Sequence, residues 1–271
     1  GKAPRIGQVF RQPDLARTFR LIAEGGAAAF YQGPLARQIA DAVQAKGGYL
    51  TVDDLAAHTS TWDAPIRTTY RGVEILEHPP NGQGLAALLA LNTVEGYDLA
   101  GMDFYDPARW HILIEAMRLG MVDAGRYVAD PALVDVPVAQ LLSKEYATGR
   151  RSLIRGDRSL PLAAPGSPEH RDTVYLTVAD GQGNAVSFIN SLYYGFGSGL
   201  VVPGTGICLQ NRGACFSLEP GHPNALAGGK RPYHTIIPAM ALRDGRLWLS
   251  FGVMGGFMQP QGHLQVVVNM V

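Results

Sequence analysis

The chain has 271 residues, 46% of them hydrophobic, enough to bury a substantial core in one large domain or two small ones. Lys+Arg and Asp+Glu balance at 23 each, which leaves no basic field for a phosphate backbone or an anionic leaflet, so neither nucleic acid nor membrane is expected as a partner. Two cysteines, Cys208 and Cys215, suit neither a disulfide framework nor a zinc site by their spacing, and no apolar run approaches membrane-spanning length.

In chain order, Asp14 is placed to cap a helix with Leu15, Phe19 and Ile22 on one face and Gly25-Gly26 as its stop. Gly33-Pro34 opens a second helix, with Leu35, Ile39 and Val43 inward and Gly47-Gly48 at its end. Thr51-Val-Asp-Asp54 resembles a capping box before a short helical turn. Asp63 to Glu77 alternates well enough for two strands around Arg71-Gly72. His78-Pro-Pro-Asn-Gly-Gln-Gly84 is a breaker cluster, placed to line a site, and Leu85 to Val94 reads as an apolar helix. Asp106-Pro107 supplies a cap and a first-turn proline to a helix over Ala108 to Tyr127, whose Trp110, Leu113, Met117 and Met121 form an apolar stripe. Pro137 to Gly149 reads as a last helix. Leu160 to His170, with three prolines, is expected to be a flexible, exposed linker.

The character of the sequence changes at Thr173. Val174 to Ala179 and Ala185 to Asn190 read as strands joined by turn chemistry at Asp180 to Asn184, with Thr173 opening the first. Ile236 to Leu242 and Leu247 to Phe251 flank Arg243-Asp-Gly245 as a second hairpin. Helices dominate the first part and strands the second, which predicts an α+β fold with helices layered on a sheet. The chain stops inside an apolar segment at Val271, so it is expected to be an internal piece of a longer protein.

A threonine at a strand start is ordinarily structural. To act as a nucleophile its hydroxyl needs a base, and its own free α-amine, titrating near neutrality, can serve once the Asp172–Thr173 bond is cut. Gly255-Gly256 offers adjacent N–H groups for an oxyanion, although a glycine pair is equally a tight turn. Gly195 to Gly199 lacks the strand, helix and acidic follow-up of a dinucleotide site, so a loop bringing backbone near a ligand is expected there instead. No HExxH arrangement, metal-ligand spacing or Gly-x-Ser-x-Gly elbow is present, so no metal or other cofactor is expected.

These residues resemble the γ-glutamyltranspeptidase family of N-terminal-nucleophile hydrolases. Thr173 to Val186, Phe196-Gly-Ser-Gly199, Gly206-Ile-Cys-Leu-Gln-Asn211, Lys230-Arg-Pro232 and Gly252-Val-Met-Gly-Gly256 fall in the family's order, and Phe30-Tyr-Gln-Gly33 and Gly47 to Leu55 agree upstream. The resemblance implies a four-layer αββα sandwich, present here as an incomplete portion. It also implies a precursor cut before Thr173. Residues 1–172 would then be the C-terminal part of a large subunit and 173–271 the N-terminal part of a small one, together one domain. The two subunits stay associated, with a further homo-oligomer left open.

Carried over residue by residue, the resemblance makes Thr173 the nucleophile, Ser191 its supporting hydroxyl, and Gly255 and Gly256 the oxyanion glycines. His234 and Thr235 stand where typical members contact substrate with a serine pair, and Asn211 falls in the same substrate-binding set. Two departures bear on the substrate: Cys215 replaces the aspartate that holds a γ-glutamyl ammonium, and Tyr193 replaces an asparagine. With Gln210-Asn-Arg-Gly213, they resemble a divergent branch that includes oxamate amidohydrolase and glutathione-hydrolase-like proteins. Arg212 is then a candidate reader of a substrate carboxylate, its alternative being a surface ion pair. The expected function is an autoprocessed amidohydrolase acting on a small carboxylate-bearing amide. The alternatives are true γ-glutamyl transfer or glutathione hydrolysis, and an inactive structural homologue.

Overall fold

The strongest local signals in the chain are its hairpin turns. In the computed structural model, which describes residues 3–161 and 171–271, Arg71 and Gly72 both take positive φ and turn β1 (Ile66–Tyr70) into β2 (Val73–Glu77). Asp244 and Gly245 do the same between β5 (Ala239–Arg243) and β6 (Arg246–Phe251). These four strands form one antiparallel sheet in the order β1-β2-β5-β6. A second, two-stranded sheet is the hairpin of β3 (Arg171–Ala179) and β4 (Ala185–Tyr194). All three predicted strand pairs are present, although the first strand of the last starts at Ala239 rather than Ile236, and β3 starts at Arg171, so Thr173 is its third residue rather than its first. The predicted linker lies outside the described residues from 162 to 170.

Two compact units make up the chain. The first, Gly1–Trp62 with Phe196–Gln210, holds α1 (Pro13–Tyr31), α2 (Pro34–Gln44) and α3 (Val52–Ala56). The capping box is formed: Thr51 Oγ1 accepts from Asp54 N, and Thr51 N donates to Asp54 Oδ2. Gly26, at φ 62° and ψ −155°, breaks α1 as the glycine pair predicts, but the helix resumes to Tyr31. The predicted apolar face is also rotated, since Phe19 is exposed and Thr18 is the buried residue, donating through Oγ1 to Thr205 O. The glycine-rich run serves this packing. A Cβ on Gly206 would lie 2.8 Å from Leu15 N and one on Gly197 2.3 Å from Leu209 O, so the close approach expected there is of chain to chain.

The second unit, Asp63–Gly195 with Asn211–Val271, contains every candidate site residue, and the expected 172/173 boundary falls within it. Its helical layer is α4 (Gly84–Val94), α5 (Pro107–Tyr127), the short α6 (Val138–Leu141), α7 (Lys144–Arg151) and α8 (Gln259–Met270). Every residue of α4 is buried, because α4 lies between the four-stranded sheet and α5, α7 and α8. The single helix predicted over 137–149 is two, divided where Ser143 Oγ caps the second by accepting from Tyr146 N. It is also not the last: α8 follows β6, tied to the end of β2 by a buried hydrogen bond between His263 Nδ1 and Glu77 Oε1 at 2.6 Å.

The two sheets meet through hydroxyls. Thr177 Oγ1 donates to Ser250 Oγ at 2.6 Å, Tyr175 Oη lies 3.4 Å from the same Ser250 Oγ, and the Tyr175 ring fills the space a Cβ on Gly252 would need. The other face of the hairpin exposes Val174, Leu176, Val178, Val186 and Phe188. Helix layer, sheet and sheet are thus three successive layers of the predicted α+β sandwich.

The tightest point of the helical layer is Gly120 on α5, where a Cβ would lie 2.7 Å from the carbonyl oxygen of Ala86 on α4. Gly120→Ala gains about 1 kcal/mol of helix propensity, but forcing two helices apart costs roughly 1–3 kcal/mol. The substitution is expected to lower the urea midpoint of the full-length protein. An unchanged or raised midpoint would show that α4 yields freely.

Candidate functional site

Thr173 faces an irregularity in the strand beside it. The β3–β4 register pairs Asp172 with Tyr193 and Val174 with Asn190, so Thr173 alone stands opposite two residues of β4, Ser191 and Leu192, and the extra residue bulges β4 at that point. Its Oγ1 donates to Ser191 Oγ at 3.2 Å, and Ser191 Oγ also accepts from Tyr193 N at 2.8 Å. Tyr193 takes φ 79°, unusual for a residue with a side chain, which turns the chain out of β4 and buries its ring.

The Arg212 guanidinium is centred 4.4 Å from that ring. Arg212 begins a 3-10 turn, Arg212–Cys215, and is 3% exposed, so the alternative of a surface ion pair does not describe it. Its Nη1 donates to Thr235 Oγ1 at 2.6 Å. Asn211, one residue earlier, has its carboxamide oxygen accepting from Tyr194 N at 3.1 Å and its main-chain N donating to Leu192 O. Asn211 therefore fastens the end of β4 to the loop that carries Arg212. Cys215 lines a separate cavity of about 230 Å³ with Met121, Tyr233 and Phe257 among its walls.

His234 and Thr235 lie beside the breaker cluster. His234 N donates to Asn81 O and Gln83 N donates to His234 O, both at 2.9 Å, so the two segments pair like short strands. His234 Nδ1 accepts from Ile236 N, leaving the ring proton of the neutral imidazole on Nε2. Burial, with the Arg212 guanidinium and His78 adding to it, pushes the His234 pKa down to about 3. His234 faces a cavity of about 270 Å³ whose walls also include His78, Asn81, Ile189 and Ile236.

Gly255 and Gly256, at φ 127° and 60°, enter the 3-10 turn Gly256–Met258 that leads into α8 and packs against β3. Both angles favour glycine. Gly256 O accepts from Gln83 Nε2 at 2.8 Å, and the same nitrogen donates to Thr235 O at 2.7 Å. A polar path thus runs from Thr173 through Ser191, Tyr193, Arg212, Thr235 and Gln83 to Gly256. Its chemistry is a hydroxyl at a strand start, a buried cation, a neutral imidazole and a glycine turn at a helix N-terminus. Among the described residues no cluster of three or more His, Cys, Asp or Glu side chains is arranged to hold a metal ion.

The sequence reading missed Gln83 and the depth of Arg212. A signal for Gln83 exists: a lone polar residue between Gly82 and Gly84, immediately before a helix with no exposed face. For Arg212 no local signal exists, because its burial is made by Tyr193 and Thr235 from distant segments.

Residues 1–271 match the family model described as gamma-glutamyltranspeptidase. The chain is 42% identical over its whole length to the glutathione hydrolase-like YwrD proenzyme of Bacillus subtilis, covering 51% of that protein. It is 41% identical to the oxamate amidohydrolase proenzyme of Klebsiella pneumoniae, over 96% of this chain and 49% of that one. A cephalosporin acylase from Bacillus halodurans superposes with a TM-score of 0.88 at 50% identity, over 99% of this chain and 49% of that one. The chain therefore spans about half the length of the curated relatives it matches. With the whole sequence matched by the family model and the N-terminal-nucleophile fold shared with solved relatives, the chain belongs to the γ-glutamyltranspeptidase family.

Proposed function

We propose that the full-length protein is an autoprocessed amidohydrolase with Thr173 as its nucleophile, acting on a small amide that carries a carboxylate. The observation that carries this reading is the position of Thr173: near the start of β3, opposite a bulge in β4, its hydroxyl on Ser191, at one end of a polar path whose other end is the glycine turn. In the precursor the Thr173 hydroxyl attacks the Asp172 carbonyl, the acyl group moves from nitrogen to oxygen, and water hydrolyses the resulting ester. This frees the Thr173 α-amine, which then takes the hydroxyl proton as substrate is attacked. The Gly255 and Gly256 N–H groups receive the developing oxyanion, favoured by the positive end of α8. The amine returns its proton to the leaving nitrogen, and water hydrolyses the acyl-Thr173 ester. Residues 1–172 and 173–271 are then parts of two associated subunits.

The substrate class follows from charge. Arg212 is a buried cation, and a desolvated guanidinium favours a carboxylate and disfavours an ammonium. Cys215, where the family resemblance puts an aspartate, supplies no counter-charge. This supports an amide such as oxamate, the substrate in the name of one relative, over a γ-glutamyl compound. His234 Nε2–H and the Thr235 hydroxyl serve as additional donors to that carboxylate.

Three measurements test the proposal. Intact mass of the purified full-length protein should give two chains cut before Thr173, and Thr173→Ala should leave one; a small subunit beginning elsewhere would remove Thr173 as nucleophile. Arg212→Lys keeps the charge but loses the planar two-donor fork, so KM for oxamate should rise, and Arg212→Ala should lose roughly 2–5 kcal/mol, at least about thirtyfold in kcat/KM. Both variants should still be cut at Thr173, which reports that they fold. Unchanged turnover in a cleaved Arg212→Ala protein would end the specificity argument.

The third concerns His234. Below about pH 6.5 the unfolded chain binds a proton that the folded chain refuses until about pH 3. Stability is therefore full above that window and falls through it by up to roughly 1.4 kcal/mol per pH unit. His234→Gln, which cannot titrate, should lose less stability than the parent between pH 7 and 4.5 in urea titrations, about those values by the same linkage. Parallel losses would mean that His234 is protonated in the folded protein.

A further inference from the structure

We infer that Gln83 is a positioning residue for this reaction: its carboxamide sets the Gly255–Gly256 turn and ties it to the substrate-facing segment at His234 and Thr235. The inference rests on the proposed function. Gln83 is fully buried, and its carboxamide is engaged on every side. Nε2 donates to Thr235 O and Gly256 O, Oε1 lies 3.3 Å from the Tyr233 hydroxyl that donates to it, and the main-chain N donates to His234 O. The opposite carboxamide orientation would set an oxygen against two carbonyl oxygens, so the partners fix the assignment.

The turn has main-chain bonds of its own only toward α8, and Gln83 supplies the anchor on the other side. Two successive glycines carry no side chain to restrict them, and both sit at positive φ. Gly255 O accepts from Met258 N at 3.2 Å. In a trans peptide the next N–H points the opposite way, so this contact aims the Gly256 N–H away from the helix. The following peptide plane, which carries Gly256 O, is held from the helix side by Gln259 N and from across the site by Gln83 Nε2. Without the Gln83 bond the turn keeps its helix-side contact but loses its tie to the Thr235 segment, and Gly256, which has no side chain to restrict it, is held from one side alone. One planar NH₂ group also fixes the spacing between Gly256 O and Thr235 O. Glutamate offers at most one such donor, and only when protonated; asparagine is one methylene short.

The flanking glycines explain how a side chain from the breaker cluster reaches this point. A Cβ on Gly84 would lie 2.7 Å from Glu77 Cβ, and one on Gly82 3.2 Å from Pro79 O. The loop is therefore drawn tightly over the end of β2, which delivers Gln83 inward.

The test uses the full-length precursor, with oxamate and a γ-glutamyl anilide as probes. Gln83→Ala and Gln83→Glu should each lower kcat by about tenfold to a thousandfold while KM changes little, as expected for a contact that matters only when the oxyanion forms. In Gln83→Glu the protonated carboxyl restores one donor and the carboxylate none, so its kcat should recover, relative to the parent, as pH is lowered from about 8 to about 6. This comparison is made on one folded, cleaved sample and stands even where Gln83→Ala fails to fold. A kcat near the parent value, a loss confined to KM, or a Gln83→Glu profile parallel to the parent's would overturn the inference and leave the function intact. A parent protein that is uncut, or inert to both probes, overturns the proposed function and this inference with it.

Discussion

Two segments that share no sequence feature, one at Tyr233 and Thr235 and the other at Gly256, converge on one buried carboxamide. Gln83 bonds to carbonyls at Thr235 and Gly256 and to the hydroxyl of Tyr233, and every other candidate site element is reached from those points. The constraint is elementary: a polar group buried without partners costs on the order of 1–3 kcal/mol, so each group in this path must have its partner, and satisfying one fixes the next. Thr235 carries two such contacts, its carbonyl to Gln83 and its hydroxyl to Arg212. The consequence is a site framed by the core rather than by surface loops.

The charge of the site follows the same logic. Arg212 is buried against the Tyr193 ring and Thr235, an arrangement that keeps a cation but gives its field little water to be screened by. His234 stays neutral chiefly because it is buried, with the field of that cation adding to the effect. A buried cation beside a neutral imidazole is a different electrostatic setting from one built around an aspartate. Under the proposed function this setting selects the substrate class before any shape of pocket does.

Backbone conformation does the remaining work. The β4 bulge opposite Thr173, the positive φ of Tyr193 and the positive φ of Gly255 and Gly256 are all departures from regular structure, and all fall on the polar path or next to it. Strained or irregular positions persist only where their surroundings over-determine them. Here the surroundings are the two sheets, locked through Thr177, Tyr175 and Ser250, and α8, locked to β2 through His263 and Glu77.

Much of this was legible from the sequence because it depends on neighbours in the chain. The two hairpins, the Thr51 capping box, the all-apolar α4 and the glycine pair before α8 each rest on local periodicity, turn chemistry or φ preference, which a few consecutive residues determine. Thr173 is singled out by its place near a strand start and Ser191 by the family resemblance, and because both lie on one hairpin their hydroxyls meet. What the tertiary structure alone decided is which distant segments meet. Phe19 is exposed and Thr18 buried because Thr205 lies against α1; the 137–149 helix breaks because Ser143 finds a better role as a cap. Arg212 became a buried cation and Gln83 a shared anchor only when residues 20 to more than 150 positions away closed around them. Burial is a property of the neighbours that arrive, and the sequence near a residue does not contain them.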